Sequence, residues 1–409
     1  MARSKKKAAY IAAESSFATD PSANGSGYAW IPALSLPDIP QGQELLPTDY
    51  FTSGPFPTTP IAGAQGGSFD MEIPVIGLAT RAGDGTNASA TADDWFDNCL
   101  ESIFTDSPTE RTGETVSSST TSELTFDAGA TDVTEQDLVA IYGSGDVAER
   151  SQWVVLTDDA SDPAWAIAPN KTGTSSSVLY GTRQYHCDRN TAFGGSSQAI
   201  VIEDGGDIND AEQIGAYMFL GCRPGSFKLV GEAGQMYRGS VTWLFNDVTE
   251  DSGNKTALPA PGVGPAVTPL ICLLSGFWFN GTQYATRRVD IDLGIQAVPR
   301  PATSAAQGRS AYDILTISPT ITIEPLRTDA IRELRRGVTE GRLLVQLGAG
   351  LPSGTILNSC AVHAENAYVD VADPVDESGT ARQTVTFRVT DGGEWESGTL
   401  GRYFNFARA

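Results

Sequence analysis

A chain of 409 residues is long enough for one large elaborated domain or two ordinary ones, and 40% hydrophobic residues suffice for a core, which excludes a disordered polymer. The net charge is −23, and because Arg3, Lys5, Lys6 and Lys7 stand together at the start with no acid among them, the remainder carries −27. So acidic a body repels phosphates and argues against a nucleic-acid-binding surface, whereas it suits solubility at high copy number or a channel wall past which DNA slides.

Only 19% of residues are charged, while Gly (43) and Pro (23) are plentiful, a balance that favours strands and turns. The basic start, ARSKKKAAYIAAESSF, contains no apolar core of the secretory kind. It reads as a solvated tail, or as a basic arm for an acidic neighbouring subunit. No window approaches the roughly 18 apolar residues of a membrane span, so no membrane anchor is expected. Residues 20–68 carry prolines at 32, 37, 40, 47, 55, 57 and 60, which exclude a long helix or a central strand. The same stretch holds Trp30, Leu36, Leu45, Leu46, Tyr50, Phe51 and Phe56. It predicts one or two short strands and an extended arm over about 30–65, packed either on its own subunit or on a neighbour.

Gly66–Val75 alternates and predicts a strand with Phe69, Met71 and Ile73 on one face. Over Thr91–Phe104, Trp95, Phe96, Cys99, Leu100, Ile103 and Phe104 fall at helical spacing, with Thr91 as N-cap and Asp93 and Asp94 in the first turn. Residues 105–200 are Ser/Thr-rich and read as an elaboration inserted into a simpler fold, between segments 1–104 and 198–409. Strands are expected there at Glu123–Phe126, Trp153–Leu156 and Val178–Tyr180, and one or two helical turns at Glu135–Tyr142. From Gln198 a meander of strands with tight glycine turns is predicted, in which Tyr237, Val241, Trp243 and Phe245 share a face. Asn280-Gly281 predicts a hairpin turn. The alternating Ile314–Glu324 leads to a second amphipathic helix, Thr328–Arg336, with Arg332, Arg335 and Arg336 near its C-terminus. Arg342–Leu347, Cys360–Val371 and Gln383–Val389 predict three closing strands. The sum is a mainly β fold: an antiparallel sandwich or barrel with one to three short flanking α-helices.

Catalysis needs a base, a nucleophile or a metal held by converging side chains. The only histidines are His186 and His363, and His186 cannot readily meet Cys187 because neighbours on a strand point to opposite faces. Cys99, Cys187, Cys222, Cys272 and Cys360 are odd in number and widely spaced, which argues against a disulfide framework or a zinc site and for buried, reduced thiols. No nucleophile elbow, zinc-protease helix, P-loop or dinucleotide fingerprint occurs. The acidic pairs Asp93/Asp94, Asp158/Asp159 and Asp290/Asp292 read as solvated acids; the last shares a strand face and suits Ca²⁺ or a solvent channel. Neither an enzyme nor a cofactor or metal is expected.

Two stretches resemble the tail tube protein family of long-tailed bacteriophages. AAYIAAESSFATDP, LPTDYF and GAQGGSFDMEIPV are similar to that family's opening, and YMFLGCRPGSFKLVGEAGQMYRGSVTW to its strand–turn–strand centre. The strand–helix step ITIEPLRTDAIRELRR and a terminal strand pair follow in the same order. The likeness covers 1–104 and 198–409; residues 105–200 match poorly. It implies a virion subunit of two packed antiparallel sheets, made in the host cytoplasm. Copies would close a homo-oligomeric ring, a hexamer in that family's pattern, and rings would stack into a tube. Other tail proteins would be its partners, and phage DNA would pass through the lumen without specific binding. Leu45, Leu46, Tyr50, Phe51 and Phe56 of the arm and Arg332, Arg335 and Arg336 of the second helix are then the candidates for assembly contacts. Two other readings stay open: a phage head or decoration protein, or a secreted acidic carbohydrate- or Ca²⁺-binding β-module.

Overall fold

The computed structural model describes residues 7–21, 27–36, 43–46, 61–77, 94–104, 109–110, 116–126, 136–143, 152–161, 164–169, 177–179, 182–188, 195–204, 216–251, 258, 269–272, 276–302, 309–325, 329–334, 340–348, 359–377, 380–390 and 402–409. Lys7 opens β1 (Lys7–Ala13), followed by β2 (Ala29–Ile31), β3 (Gln43–Leu46), β4 (Ile61–Gln65), β5 (Gly67–Pro74) and helix α1 (Asp94–Glu101). Next come β6 (Thr109–Glu110), β7 (Val116–Ser119), β8 (Glu123–Phe126), β9 (Leu138–Gly143), β10 (Gln152–Ser161), β11 (Ala164–Ala168), β12 (Ser177–Leu179) and β13 (Arg183–Asp188). The meander holds β14 (Gln198–Asp204), β15 (Ala216–Glu232), β16 (Arg238–Phe245), β17 (Asp247–Asp251), β18 (Gly276–Phe279), β19 (Thr282–Gln283) and β20 (Thr286–Asp292). Then follow β21 (Ile295–Pro301), β22 (Arg309–Ile317), β23 (Thr320–Pro325), α2 (Asp329–Leu334), β24 (Gly341–Leu347), β25 (Cys360–Glu377), β26 (Thr380–Thr390) and β27 (Arg402–Arg408). The fold is mainly β and antiparallel, with two short helices among the described residues.

Two long strands organise the main sheet by belonging to two sections each. The first half of β15 pairs with β14 and β17, its second half with β16 and β20. Gly221, at φ 65°, stands at the change, a conformation that costs a residue with a Cβ far more. β25 likewise pairs with β24 and β27 over its first residues and with β26 further on. The result is a side sheet (β2-β1-β14-β15-β17), a front sheet (β5-β16-β15-β20-β23-β26) and a back sheet (β18-β24-β25-β27-β13-β6).

Front and back enclose the principal core. Strict alternation in β5, β16 and β23 buries every second residue, among them Phe69, Met71, Ile73, Val241, Trp243 and Ile323. The sheets meet where Phe387 of β26 stands with its ring centroid 5.2 Å from that of Phe277 and 5.0 Å from that of Phe279, both on β18. Packing at such distances adds to the burial of each ring. Helix α1 lies against β1 and β2 and buries Trp95, Phe96, Cys99 and Leu100, its predicted apolar face.

An ion pair fastens α1. Asp97 is buried and receives the guanidinium groups of Arg408 and Arg183 and, at 2.5 Å, the Tyr185 hydroxyl. Arg408, fully enclosed, also donates to the Gly77 carbonyl at 2.8 Å and lies over the Phe96 ring. A charge held inside needs such a complete set of partners.

The Asn280-Gly281 turn is as predicted: both residues have positive φ (48° and 73°) and join β18 to β19. Other expectations are corrected. Glu135–Tyr142 does not turn helically; β9 occupies it from Leu138, with Leu138 and Ala140 in one core and Val139 in another. Apolar residues on both faces hide the period of a strand. Ile314–Glu324 is two strands: the chain breaks at Ser318-Pro319, so β22 pairs with β21 while β23 joins the front sheet. The predicted helices are described over Asp94–Glu101 and Asp329–Leu334, the first ending short of Phe104; Thr91, Asp93, Thr328, Arg335, Arg336 and Tyr180 lie outside the described residues. β1 and β27 were not predicted as strands, yet both are central ones. All five cysteines are buried and none is in a disulfide.

Candidate assembly surface

The residues expected to make assembly contacts are dispersed. Leu45 and Leu46 lie in β3, which pairs with β4 (Leu45 opposite Ala62, Leu46 opposite Ile61) as a ribbon that, among the described residues, is hydrogen-bonded to neither larger sheet. The stretch read as one or two short strands and an extended arm thus contains the paired strands β3 and β4. Arg332 is in α2. Tyr50, Phe51, Phe56, Arg335 and Arg336 lie outside the described residues.

The front sheet presents a different surface, which follows from its alternation. With one face in the core, the other carries Ser68, Asp70 and Glu72 of β5, then Arg238, Ser240 and Thr242 of β16. Ser226, Lys228, Val230 and Glu232 of β15, Arg288, Asp290 and Asp292 of β20, Thr320, Thr322 and Glu324 of β23, and Thr384, Thr386 and Arg388 of β26 complete it. None of these outward side chains is buried. Adjacent strands are cross-linked through hydroxyls: Ser226 donates to Thr242 Oγ1 at 2.8 Å, Thr242 to Asp70 Oδ1 at 2.6 Å, and Thr322 and Thr386 share a bond of 3.0 Å.

Three cations of this face, Lys228, Arg288 and Arg388, are tied to acids. Lys228 Nζ stands 2.8 Å from Asp292, Arg288 meets Asp290 at 2.9 Å and Arg388 meets Asp370 at 2.9 Å. The Asp292 carboxylate raises the Lys228 pKa by hydrogen bond and charge. Asp290 and Asp292 do share a strand face, as their spacing predicts, but each serves its own cation and they do not converge on one point. With three of its cations paired and acids in excess, the face has chiefly hydroxyls and negative charge to offer.

The edges of the front sheet differ. On β5 the Glu72 carbonyl points away from β16 and accepts from Leu34 N at 2.7 Å. Alternate residues of a strand aim their backbone groups to one side, so those of Ser68 and Asp70 point the same way, and among the described residues no strand pairs with them. At the other edge the β25–β26 hairpin continues to Glu377 opposite Thr380, beyond the end of the β23 pairing.

The two histidines are structural in their surroundings. His186 Nδ1 is 2.8 Å from Asn405 Oδ1, and His363, opposite Asn405 on β25, is buried. Burial, with the Arg342 charge, lowers the His363 pKa to about 3. Cys187 faces the principal core, away from His186, as strand geometry predicts. Among the described residues no three His, Cys, Asp or Glu side chains are grouped to hold a metal. An open depression of about 450 Å³ beside α1 is lined by Asp97, Asn98, Glu101 and Arg183, among others, but Asp97 and Arg183 are engaged with each other.

The hydroxyl and ion-pair ladder escaped sequence reasoning because pairing between strands far apart in the chain is not visible in the chain itself. Its only local signal was alternation with Ser, Thr and acids at every second place. No model of a known protein family matches the chain, and no curated protein matches it.

Proposed function

We propose that the chain is a structural subunit that self-assembles into rings, six to a ring, stacked as the tail tube of a long-tailed bacteriophage. The observation that carries this reading is the front sheet: wide, apolar towards the core, and hydroxyl-rich and acidic on a face where no side chain is buried. Its β5 edge keeps backbone donors and acceptors at Ser68 and Asp70 that the neighbouring subunit would take up. A head-to-tail contact repeated around an axis closes a barrel, with the polar face as the wall of a water-filled channel. Such a wall repels a polyanion gently and holds no unpaired row of cations to seize it. Two of the segments that resemble the tail tube family fall on adjacent strands of this sheet: GGSFDMEIPV on β5, and YMFLGCRPGSFKLVGEAGQMYRGSVTW on β15 and β16.

Electron microscopy of the purified chain at high concentration tests this. Rings or tubes with a central channel are expected. A chain that stays monomeric at the highest attainable concentration overturns the proposal.

A further inference from the structure

We propose that residues 111–182 are an accessory domain grafted into a single hairpin of the sandwich, folding around a core of its own and dispensable to the rest of the chain. The graft point is visible in the register. β6 and β13 are antiparallel neighbours, Glu110 opposite Arg183 and Thr109 opposite Gln184. The chain leaves and returns at paired residues, where a tight turn would serve as well.

Between those points β7 to β12 pair only with one another among the described residues, in the order β12-β9-β10-β11-β8-β7. The end strands β12 and β7 come together, so the sheet curls towards a closed barrel. Inside it Leu124, Phe126, Val139, Val154, Leu156 and Ile167 form a cluster distinct from the principal core.

The barrel sits on the outer face of the back sheet, and the attachment is largely polar. The Gln184 amide accepts from Leu138 N at 3.0 Å and donates to the Leu138 carbonyl at 3.1 Å. Asn405 donates to the Gln136 carbonyl at 2.8 Å, and Trp153 Nε1 to Ser359 Oγ at 3.0 Å. An apolar patch, Leu138, Ala140, Trp153 and Val155 against Leu344, Ala361, Ala407 and Ala409, with Trp278 packed beside it, completes the attachment. The sandwich residues under the barrel are thus Gln184, Gln346, Ser359, Asn405 and Arg402, which pairs with Asp137 at 2.9 Å, beside Leu344 and three alanines, and water can serve their polar groups. A face of this composition resembles a junction between domains more than a core. The barrel and the front sheet lie on opposite sides of the principal core. If the channel reading above holds, on which this clause rests, the barrel stands on the outside of the ring.

Two variants of the full chain test the proposal. In the first, Asn-Gly replaces residues 111–182, joining Glu110 to Arg183. It should remain soluble and unfold in a single cooperative transition; a molten or aggregated product overturns dispensability. In the second, Leu156→Ala opens the barrel's own core, and hydrogen exchange is followed by mass spectrometry. Amides in 116–179 should exchange at least tenfold faster while those of β5 and β16 keep their rates. Acceleration spreading into β5 and β16 overturns the separate core. Both readouts are taken on the soluble subunit, so absence of rings leaves them intact and counts against the channel reading alone. Where rings form, the first variant should keep the channel width and lose outer diameter; a changed channel overturns the outward placement.

Discussion

Replacing Asp97 by alanine should be among the most damaging single changes in the chain. Asp97 is the acceptor for Arg408, which is fully enclosed, for Arg183, and for the Tyr185 hydroxyl at 2.5 Å. Arg183 is part-exposed and can turn to water, but Arg408 cannot, and its remaining partners are backbone carbonyls and the Phe96 ring. Stripping one partner from a buried pair costs about 3–5 kcal/mol, because the other charge stays buried without its counter-ion. The unfolding entropy of all 409 residues near the midpoint is about 0.9 kcal/mol/K. A loss of about 4 kcal/mol therefore lowers Tm by at least about 4 °C, and by more if a smaller unit melts. Scanning calorimetry with urea titration reads both quantities. The double change Asp97→Ala with Arg408→Met removes the stranded charge and should recover most of the loss, since buried pairs exchange for apolar side chains at little cost. A single variant that loses less than about 1 kcal/mol, or a double variant weaker than the single, refutes the reasoning.

Three further outcomes are expected. Glu14 is buried and accepts from Ser197 Oγ at 2.5 Å, Gly221 N at 2.8 Å and Ala18 N at 2.9 Å, and desolvation nonetheless raises its pKa to about 7. The neutral acid is favoured in the folded state, so the Glu14 contribution is complete at low pH and is lost as pH rises from the unfolded value near 4.5 to about 7. Urea titrations of wild type and Glu14→Gln across this range should show a stability difference that changes by on the order of 3 kcal/mol and is flat above it; a constant difference contradicts the assignment. Gly221→Ala places a Cβ 2.8 Å from Phe17 and 2.9 Å from Asn246 at φ 65°, and should cost about 2 kcal/mol or more in denaturant titration; a neutral effect would mean the corner relaxes freely. Asp70→Pro removes an outward N–H without breaking the β5–β16 ladder, so it should give a folded subunit that forms no rings in electron micrographs, and unimpaired rings would rule out pairing at this edge.

What was legible in the sequence and what was not divides along physical lines. β5, β16 and the helix around Trp95 were readable because each has one buried and one wet face, so composition alternates with the period of the element. β1 and β9 were not, because Tyr10 and Ile11, or Val139 and Ala140, are buried on opposite sides and leave no polar phase to read. β27 was hidden for the same reason: in YFNFAR, Phe404 and Phe406 enter the principal core while Asn405 and Ala407 lie under the barrel. The polar ladder of the front sheet was half legible. Thr242 and Thr322 announce a wet face, but that Thr242 meets Asp70 and Thr322 meets Thr386 follows only from pairing.

The place of β27 has a temporal consequence. Its seven residues fill the slot between β13 and β25, pairing Arg183 with Arg408 across more than half the chain. Contacts of such separation form slowly, and during synthesis this one waits until nearly every other strand has left the ribosome. Until then Asp97 stands on α1 without its buried cation, so docking of the helix and closure of the back sheet are one late event. A nascent chain thus keeps its apolar helix face unsettled until β27 arrives, which delays maturation.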